Sequence, residues 1–226
     1  MLCTIVKMYI DYLYQELGKE PAELILSFPP GIKILRNSTQ NLFEHPHVVL
    51  WHNFLFNHFD PRVCSKPYAI IMPCSSIKPY RVSPTHVIID SILFKNGVTD
   101  YVQVYVLSEP MILVPRELDI YYPFANYDYP VNELTPRYRE KFVELLSMIL
   151  PKLKYHRKII AVLPKHHLSI LLDSLKEVGE EFDLTVIEYG KRAFQSIKIA
   201  AITVINYVKS DEPLIGYTIP KHLQSE

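Results

Sequence analysis

The sequence predicts an α/β fold, a three-layer sandwich in which helices flank a mainly parallel central sheet. Two observations predict it. Short apolar, β-branched runs lie near residues 69–73, 102–107, 158–163 and 184–188, and segments with apolar residues at helical spacing separate them. Because strands alternating with helices pair in parallel through right-handed crossovers, we expect the carboxyl ends of these strands at one edge of the sheet.

The first part of the chain predicts a helix, a strand and a second helix. Apolar residues recur at helical spacing over 5–17, and Gly18 can close that helix. Residues 24–28 have the pattern of a strand ended by two prolines, residues 31–45 look irregular, and residues 47–59 predict an aromatic helix. We therefore expect residues 1–60 to form an extension packed on an α/β core of residues 61–226.

The remaining elements follow in the same way. Helices are predicted near 86–94, 142–149 and 168–178, each from apolar residues three or four positions apart. Residues 193–208 are apolar nearly all round and β-branched, so a packed helix is predicted with a strand as the rival. The long, proline-rich stretch 108–130 predicts a functional connection, and the tail after residue 210 looks loose.

Composition narrows the function classes. The 226 residues are 49% hydrophobic and 21% charged, which is typical of a globular protein, and the net charge of +0 argues against strong autonomous nucleic-acid binding. The three cysteines form no C-x2-C pair and there is no 18-residue uncharged stretch, so we expect reduced thiols and a cytoplasmic protein without a membrane span. Only 6 glycines occur and none forms a phosphate loop, so no cofactor is predicted.

The loop after the strand at 69–73 carries the most chemistry. It runs from Pro73 to His86 and holds a thiol, hydroxyls, an amine, a phenol and an imidazole. Ligands of open α/β sheets bind at such strand ends. Cys74 is the sharpest candidate, because Lys78 and His86 could lower its pKa if they fold back on it; the alternative is an inert core cysteine, as we expect for Cys3 and Cys64.

The spacing P-C-x3-K-P-Y-x2-S-x2-H at 73–86 resembles the core motif of the archaeosine synthase family, archaeal tRNA-modifying enzymes. A second block resembles that family at 115–118, 122–123 and 126–131, and the likeness spans roughly residues 40–190. Arg81 departs from it, because a small residue is usual there, and so does the segment that begins at Asn132. Full-length family members also carry a transglycosylase-like domain and a small RNA-binding domain.

The resemblance implies a fold similar to uracil-DNA glycosylase and a reaction that adds lysine to the nitrile of 7-cyano-7-deazaguanine in tRNA. On that basis Cys74 is the nucleophile, His86 or Lys78 handles the proton, and Asp128 binds or deprotonates the amine. The implied substrate-binding residues are Ser75, Tyr80, Ser83, Arg116, Glu117, Asn126 and Tyr127.

Simpler interpretations stand beside these roles. Ser75 and Ser83 are ordinary capping residues by default, and Arg116 with Glu117 can form an internal ion pair that shapes its loop. Neighbouring histidines at 166 and 167 point apart on a helix without a third ligand in register, so no metal site is predicted.

Whether the chain is itself an enzyme stays open at this point. The rival to the transferase is a non-catalytic nucleobase-binding or assembly subunit of a split tRNA-modifying enzyme. In both cases the implied partners are tRNA or a modified nucleobase and a separate RNA-binding or transglycosylase-like protein.

Overall fold

A computed structural model describes residues 4–34, 40–190 and 192–211. The strands in these residues are β1 (Tyr68–Pro73), β2 (Val102–Ser108), β3 (Ile112–Pro115), β4 (Lys158–Leu163) and β5 (Leu184–Glu188). They form one sheet in the order β3-β2-β1-β4-β5. All neighbours pair in parallel except β2 and β3, which form an antiparallel pair at one edge. The predicted α/β class with a mostly parallel sheet is therefore confirmed.

Helices cover both faces of this sheet because the three inner strands are apolar on both sides. In β1, Ala69 and Ile71 face one core cluster while Ile70 and Met72 face the other. The helices are α1 (Thr4–Leu17), α2 (Lys19–Leu26), α3 (Pro46–Asn57), α4 (Pro84–Lys95), α5 (Pro136–Leu153), α6 (Lys165–Val178) and α7 (Ala193–Asp211). Helices α1, α2, α3, α5 and α6 pack in the first cluster, and α4 and α7 pack in the second.

The prediction of a strand at 24–28 is wrong, because α2 occupies residues 19–26. Ala22 and Ile25, three positions apart, are its buried residues, whereas Leu24 is 62% exposed. The buried apolar residues of this segment thus lie on one face of a helix. The prediction of a bare connection over 108–130 is also incomplete, since it contains β3. That strand has only four residues, too few to show an alternating pattern.

The other helix predictions are confirmed, including a helix rather than a strand at the C-terminal side. Helix α7 buries Ile197, Ala201 and Val204 against the second face of the sheet. Cys3 and most of the predicted loose tail lie outside the described residues, and the division at residue 60 stays a prediction. No helix in the described ranges is long and apolar enough to cross a membrane.

Trp51 shows how α3 joins the core near the strand ends. Its side chain is fully buried, packs at right angles on Tyr9 with ring centroids 5.3 Å apart, and donates from Nε1 to the carbonyl oxygen of Met111 at 2.7 Å. Met111 lies in the turn between β2 and β3. The contact therefore ties α1 and α3 to the turn that carries Glu109.

Candidate active site

A cavity of about 310 Å³ opens at the carboxyl ends of the parallel strands. It lies where loops leaving four strands meet, which is the edge at which open α/β sheets bind ligands. The side chains that carry its chemistry are Cys74, Lys78, Glu109, Asp128, His166 and His167.

Three of the side chains that line the cavity, those of Cys74, Glu109 and His167, form a close cluster. Cys74 follows β1 directly, and its backbone N–H donates to the carbonyl oxygen of Leu107 in β2 at 3.0 Å. Glu109 follows β2, and His167 lies in the first turn of α6. Oε2 of Glu109 lies 2.9 Å from Nε2 of His167 and 3.9 Å from Sγ of Cys74. Three separate strand ends thus converge on one sulfur atom.

Burial and mutual contact set the charge of this cluster. Glu109 is 7% exposed and His167 is 1% exposed. Burial by itself lowers the pKa of His167, but the hydrogen bonds to Cys74 and Glu109 outweigh it and raise that pKa to about 9. Burial raises the pKa of Glu109, and the hydrogen bond and positive charge of His167 more than offset this, so that it is lowered. The cluster therefore holds an imidazolium and a carboxylate beside the thiol.

Lys78 also lines the cavity. Its ammonium donates to the carbonyl oxygen of Ser75 at 3.1 Å and sits 4.2 Å from the ring centre of Tyr127. Burial lowers the pKa of Lys78, and the interactions with Cys74 and Asp128 oppose that shift. Lys78 therefore places its amino group inside the cavity, against the ring of Tyr127.

A buried group of hydroxyls lies behind the cavity wall. The hydroxyl of Tyr127 bonds to those of Tyr80 and Ser108, and the Tyr80 hydroxyl donates to Ser108 Oγ at 3.2 Å. Burial raises the pKa of both tyrosines well above the ordinary value, so they stay neutral. Only Tyr127 of the two lines the cavity. Tyr80 acts one layer behind it, as a support for its ring.

Asp128 lies at the mouth. Its Oδ2 accepts from Nζ of Lys33 at 2.6 Å, and the two side chains are 60% and 56% exposed. Asn126, two residues before, is buried, and its Nδ2 donates to the carbonyl oxygens of Pro29 at 2.9 Å and Ile32 at 2.7 Å. Asn126 therefore does not reach the cavity but holds the segment that brings Lys33 to Asp128.

His86 is a buried support. Arg116 Nη1 donates to its Nδ1 at 3.0 Å, and its Nε2 then donates to the carbonyl oxygen of Pro73 at 3.1 Å. Burial and the charge of Arg116 lower the pKa of His86 to about 3. It is neutral at physiological pH and bonded at both ring nitrogens, so the structure gives it the position of a strut under the end of β1.

Arg116 and Glu117 line a different cavity, of about 500 Å³, beside α4 and β2. They do not pair with each other. Arg116 pairs with Asp90 at 2.5 Å, and Glu117 accepts from Lys66 at 2.9 Å and from Gln103 at 2.7 Å. The interpretation that Arg116 and Glu117 form an ion pair with each other is therefore wrong, because each pairs with a charged side chain elsewhere in the chain.

The two serines predicted to bind substrate lie in different parts of the structure. Ser75 lines the cavity beside Cys74, and its Oγ accepts from the N–H of Ile77 at 3.1 Å. Ser83 is fully buried at the start of α4, and its Oγ lies 3.4 Å from that of Thr85. The structure therefore brings five predicted residues to the 310 Å³ cavity, which are Cys74, Ser75, Lys78, Tyr127 and Asp128.

Sequence reasoning missed Glu109 and the role of His167. Along the sequence the two adjacent histidines have no third ligand in register, so spacing alone predicts no site there. In the structure the partners of His167 come from β1 and β2 instead. The available signal was positional: Glu109 is the first residue after β2, and His167 follows β4 by four residues.

Replacing Asn126 with alanine tests its supporting position. Two carbonyl oxygens lose their donor, and unmade bonds at buried groups cost about 1–3 kcal/mol. We expect the free energy of unfolding, measured by urea titration, to fall by about that amount. The matched control is Asn96→Ala at the exposed end of α4, where a change within about 0.5 kcal/mol is expected. Equal effects of the two substitutions would contradict the assignment.

Comparison with known proteins adds a family match and likenesses to three individual proteins. Residues 48–201 match the model of a family described as a domain of unknown function, DUF5591. The chain is 28% identical over 144 residues to the archaeosine synthase subunit alpha of Thermoplasma acidophilum, covering 61% of this chain and 26% of that protein. It is 35% identical over 117 residues to the archaeosine synthase of Methanocaldococcus jannaschii, covering 47% of this chain and 19% of that protein.

The matched part thus spans about a fifth to a quarter of the length of these relatives. A crystal structure of a protein of unknown function is also similar, at 20% identity and a TM-score of 0.44, covering 69% of this chain and 49% of that chain. A likeness this weak carries no argument here.

Proposed function

The chain belongs to the DUF5591 family as an archaeosine synthase-like member, and from this membership and the site we propose that it works in tRNA modification. Specifically, we propose that it adds an amine, lysine, to the nitrile of 7-cyano-7-deazaguanine in tRNA. The observation that carries the proposal is the Cys74 sulfur beside the Glu109–His167 pair, inside a cavity large enough for a nucleobase.

The proposed reaction has two steps, in which the thiol adds to the nitrile and the amine then displaces the thiol. The Cys74 sulfur adds to the nitrile carbon, its proton moves to the nitrile nitrogen, and a thioimidate forms without a leaving group. The amine then adds to the same carbon, the carbon–sulfur bond breaks, and the thiol regains a proton as the amidine is released. Neither step needs ATP or a redox partner.

Each described side chain has a place in these steps. The Glu109 carboxylate, 3.9 Å from the sulfur, takes the thiol proton, and the His167 imidazolium paired with it supplies a proton to the nitrile nitrogen. Lys78, held over the Tyr127 ring, stabilises the negative charge that develops on the nitrile nitrogen. Asp128 at the mouth receives the ammonium of the incoming amine in exchange for that of Lys33. The flat face of Tyr127 offers a surface on which the base can stack.

A second candidate function is a non-catalytic nucleobase-binding subunit of a larger assembly. It is favoured by the observation that the matched part corresponds to only about a quarter of the archaeosine synthase subunit alpha. In both proposals tRNA is bound together with a partner that supplies an RNA-binding or transglycosylase-like domain. The uracil-DNA glycosylase-like fold stays a prediction that accompanies both.

The deciding experiment uses intact-protein mass spectrometry of the 226-residue chain after incubation with free 7-cyano-7-deazaguanine. We expect the protein to gain the full mass of the compound, because addition to a nitrile loses no atoms. Adding lysine is then expected to discharge the adduct and release the amidine. Binding of the compound in dialysis without any mass gain or product would overturn catalysis and support the binding subunit.

A further inference from the structure

We propose that Cys74, Glu109 and His167 also bind a divalent zinc-class cation, which occupies the sulfur and blocks its addition to a nitrile. The inference assigns an inhibitory ligand to the same cavity. Its metal-binding part stands on geometry alone, and only the inhibitory consequence rests on the proposed function.

The three side chains already hold their ligand atoms close together. One ligand atom from each of the three side chains lies within 4.8 Å of the other two. Two of the separations are 2.9 Å, between His167 Nε2 and Glu109 Oε2, and 3.9 Å, between Cys74 Sγ and Glu109 Oε2. Zinc bonds of about 2.0–2.3 Å in a tetrahedron set ligand atoms about 3.3–3.8 Å apart. Small side-chain rotations therefore suffice to place an ion among them.

The donor atoms select the class of metal. A thiolate sulfur, an imidazole nitrogen and a carboxylate oxygen suit zinc and its borderline relatives, whereas magnesium and calcium prefer oxygen ligands alone. Within the described ranges this is the one set of three such side chains whose ligand atoms all lie that close together. Three protein ligands leave a fourth position open, as in catalytic rather than structural zinc sites.

The scaffold holds the three ligands in place before any ion arrives. Cys74 is tied to β2 through its backbone, Glu109 is the first residue after β2, and His167 lies in the first turn of α6. Two of the side chains, Glu109 and His167, are more than nine-tenths buried. His166 stands at the mouth with Nε2 3.9 Å from the other oxygen of Glu109, so a second imidazole borders the open position.

Metal binding displaces a proton from two of the ligands. The cation takes the place of the Cys74 thiol proton and of the proton on His167 Nε2, because thiol and imidazole ligands bind metals in their deprotonated forms. Sulfur–metal and nitrogen–metal bonds form, and two protons leave to solvent. The electron pair that would attack the nitrile carbon is then engaged. Inhibition by zinc should be overcome by a chelator, which returns the free thiol.

The test titrates the metal-free full chain with cobalt(II), whose bond to a thiolate gives a charge-transfer absorption band. We expect the band to saturate at one equivalent, to disappear on adding zinc, and to be lost in Cys74→Ser and weakened in Glu109→Gln. Cys64→Ser is the matched control, because Cys64 is similarly half-buried, and it should keep the band. No band, or a band unchanged in Cys74→Ser, would overturn the proposed site.

A second readout separates this inference from the proposed function. The nitrile adduct is measured by mass with zinc and again after chelation, and we expect it only after chelation. Adduct formation that zinc does not reduce overturns the inhibition. A cobalt band in a protein that forms no adduct even after chelation supports the metal site and counts against the proposed reaction.

Discussion

Replacing Cys74 with alanine is expected to abolish the covalent adduct with 7-cyano-7-deazaguanine and to remove amidine formation. The reason is positional. Cys74 lines the cavity, and its Sγ lies 3.9 Å from Oε2 of Glu109, which can accept the thiol proton as the sulfur adds to the nitrile. Intact-protein mass spectrometry reads the adduct, and nucleoside analysis of the tRNA reads the product.

Two comparisons make this result specific. Cys64→Ala should form the adduct as the parent chain does, because Cys64 lies before β1 and does not line the cavity. Cys74→Ser should fail as well, since a neutral hydroxyl is a far weaker nucleophile than a thiolate. Full amidine formation by Cys74→Ala would refute covalent catalysis and leave direct attack by the amine, with Lys78 as the electrostatic helper.

Acidification is expected to destabilise the fold by several kcal/mol before the carboxylates titrate. Three histidines are buried in the neutral form, with the pKa lowered by burial to about 4 for His52, about 3 for His86 and about 4 for His156. In the unfolded chain each takes up a proton near pH 6.5. Below that pH the unfolded state binds more protons than the folded state, so stability falls as the pH falls.

The expected loss in the free energy of unfolding follows from the same pKa shifts. Each histidine costs about 1.4 kcal/mol per pH unit between its unfolded and folded pKa values, so the three together cost about 6 kcal/mol at pH 5. Total stabilities of about 5–15 kcal/mol make this a large fraction. Urea unfolding at pH 7, 6 and 5 measures it.

A single substitution tests whether the buried histidines cause the dependence of the unfolding free energy on pH. His156 lies between the Tyr105 hydroxyl at 2.9 Å and the carbonyl oxygen of Lys66 at 2.8 Å. A glutamine there can serve both partners without titrating, so His156→Gln should reduce the pH slope by about a third. An unfolding free energy that does not change between pH 7 and pH 5 in the parent chain would show that these rings are not held neutral.

The paths of local elements were readable from the sequence because short-range patterns specify them. Apolar runs gave β1, β2, β4 and β5, and helical spacing gave α1 and α3 to α7. The pattern failed at residues 19–26, where a short apolar run belonged to one face of a helix, and at β3, which is too short to show a period. Both failures are cases in which packing against the rest of the chain decides between local alternatives.

The sequence by itself determined that Cys74 ends a buried strand in a loop with Lys78, and that loops from other strands open at the same edge. The tertiary structure alone decided which residues meet there. Glu109 is 35 positions from Cys74, and His167 is 58 from Glu109. His86 is close to Cys74 in sequence, but in the fold its ring bonds to Arg116 and to the carbonyl oxygen of Pro73. The physical reason is that strand order and helix packing set which side chains face a cavity, and sequence proximity does not encode either.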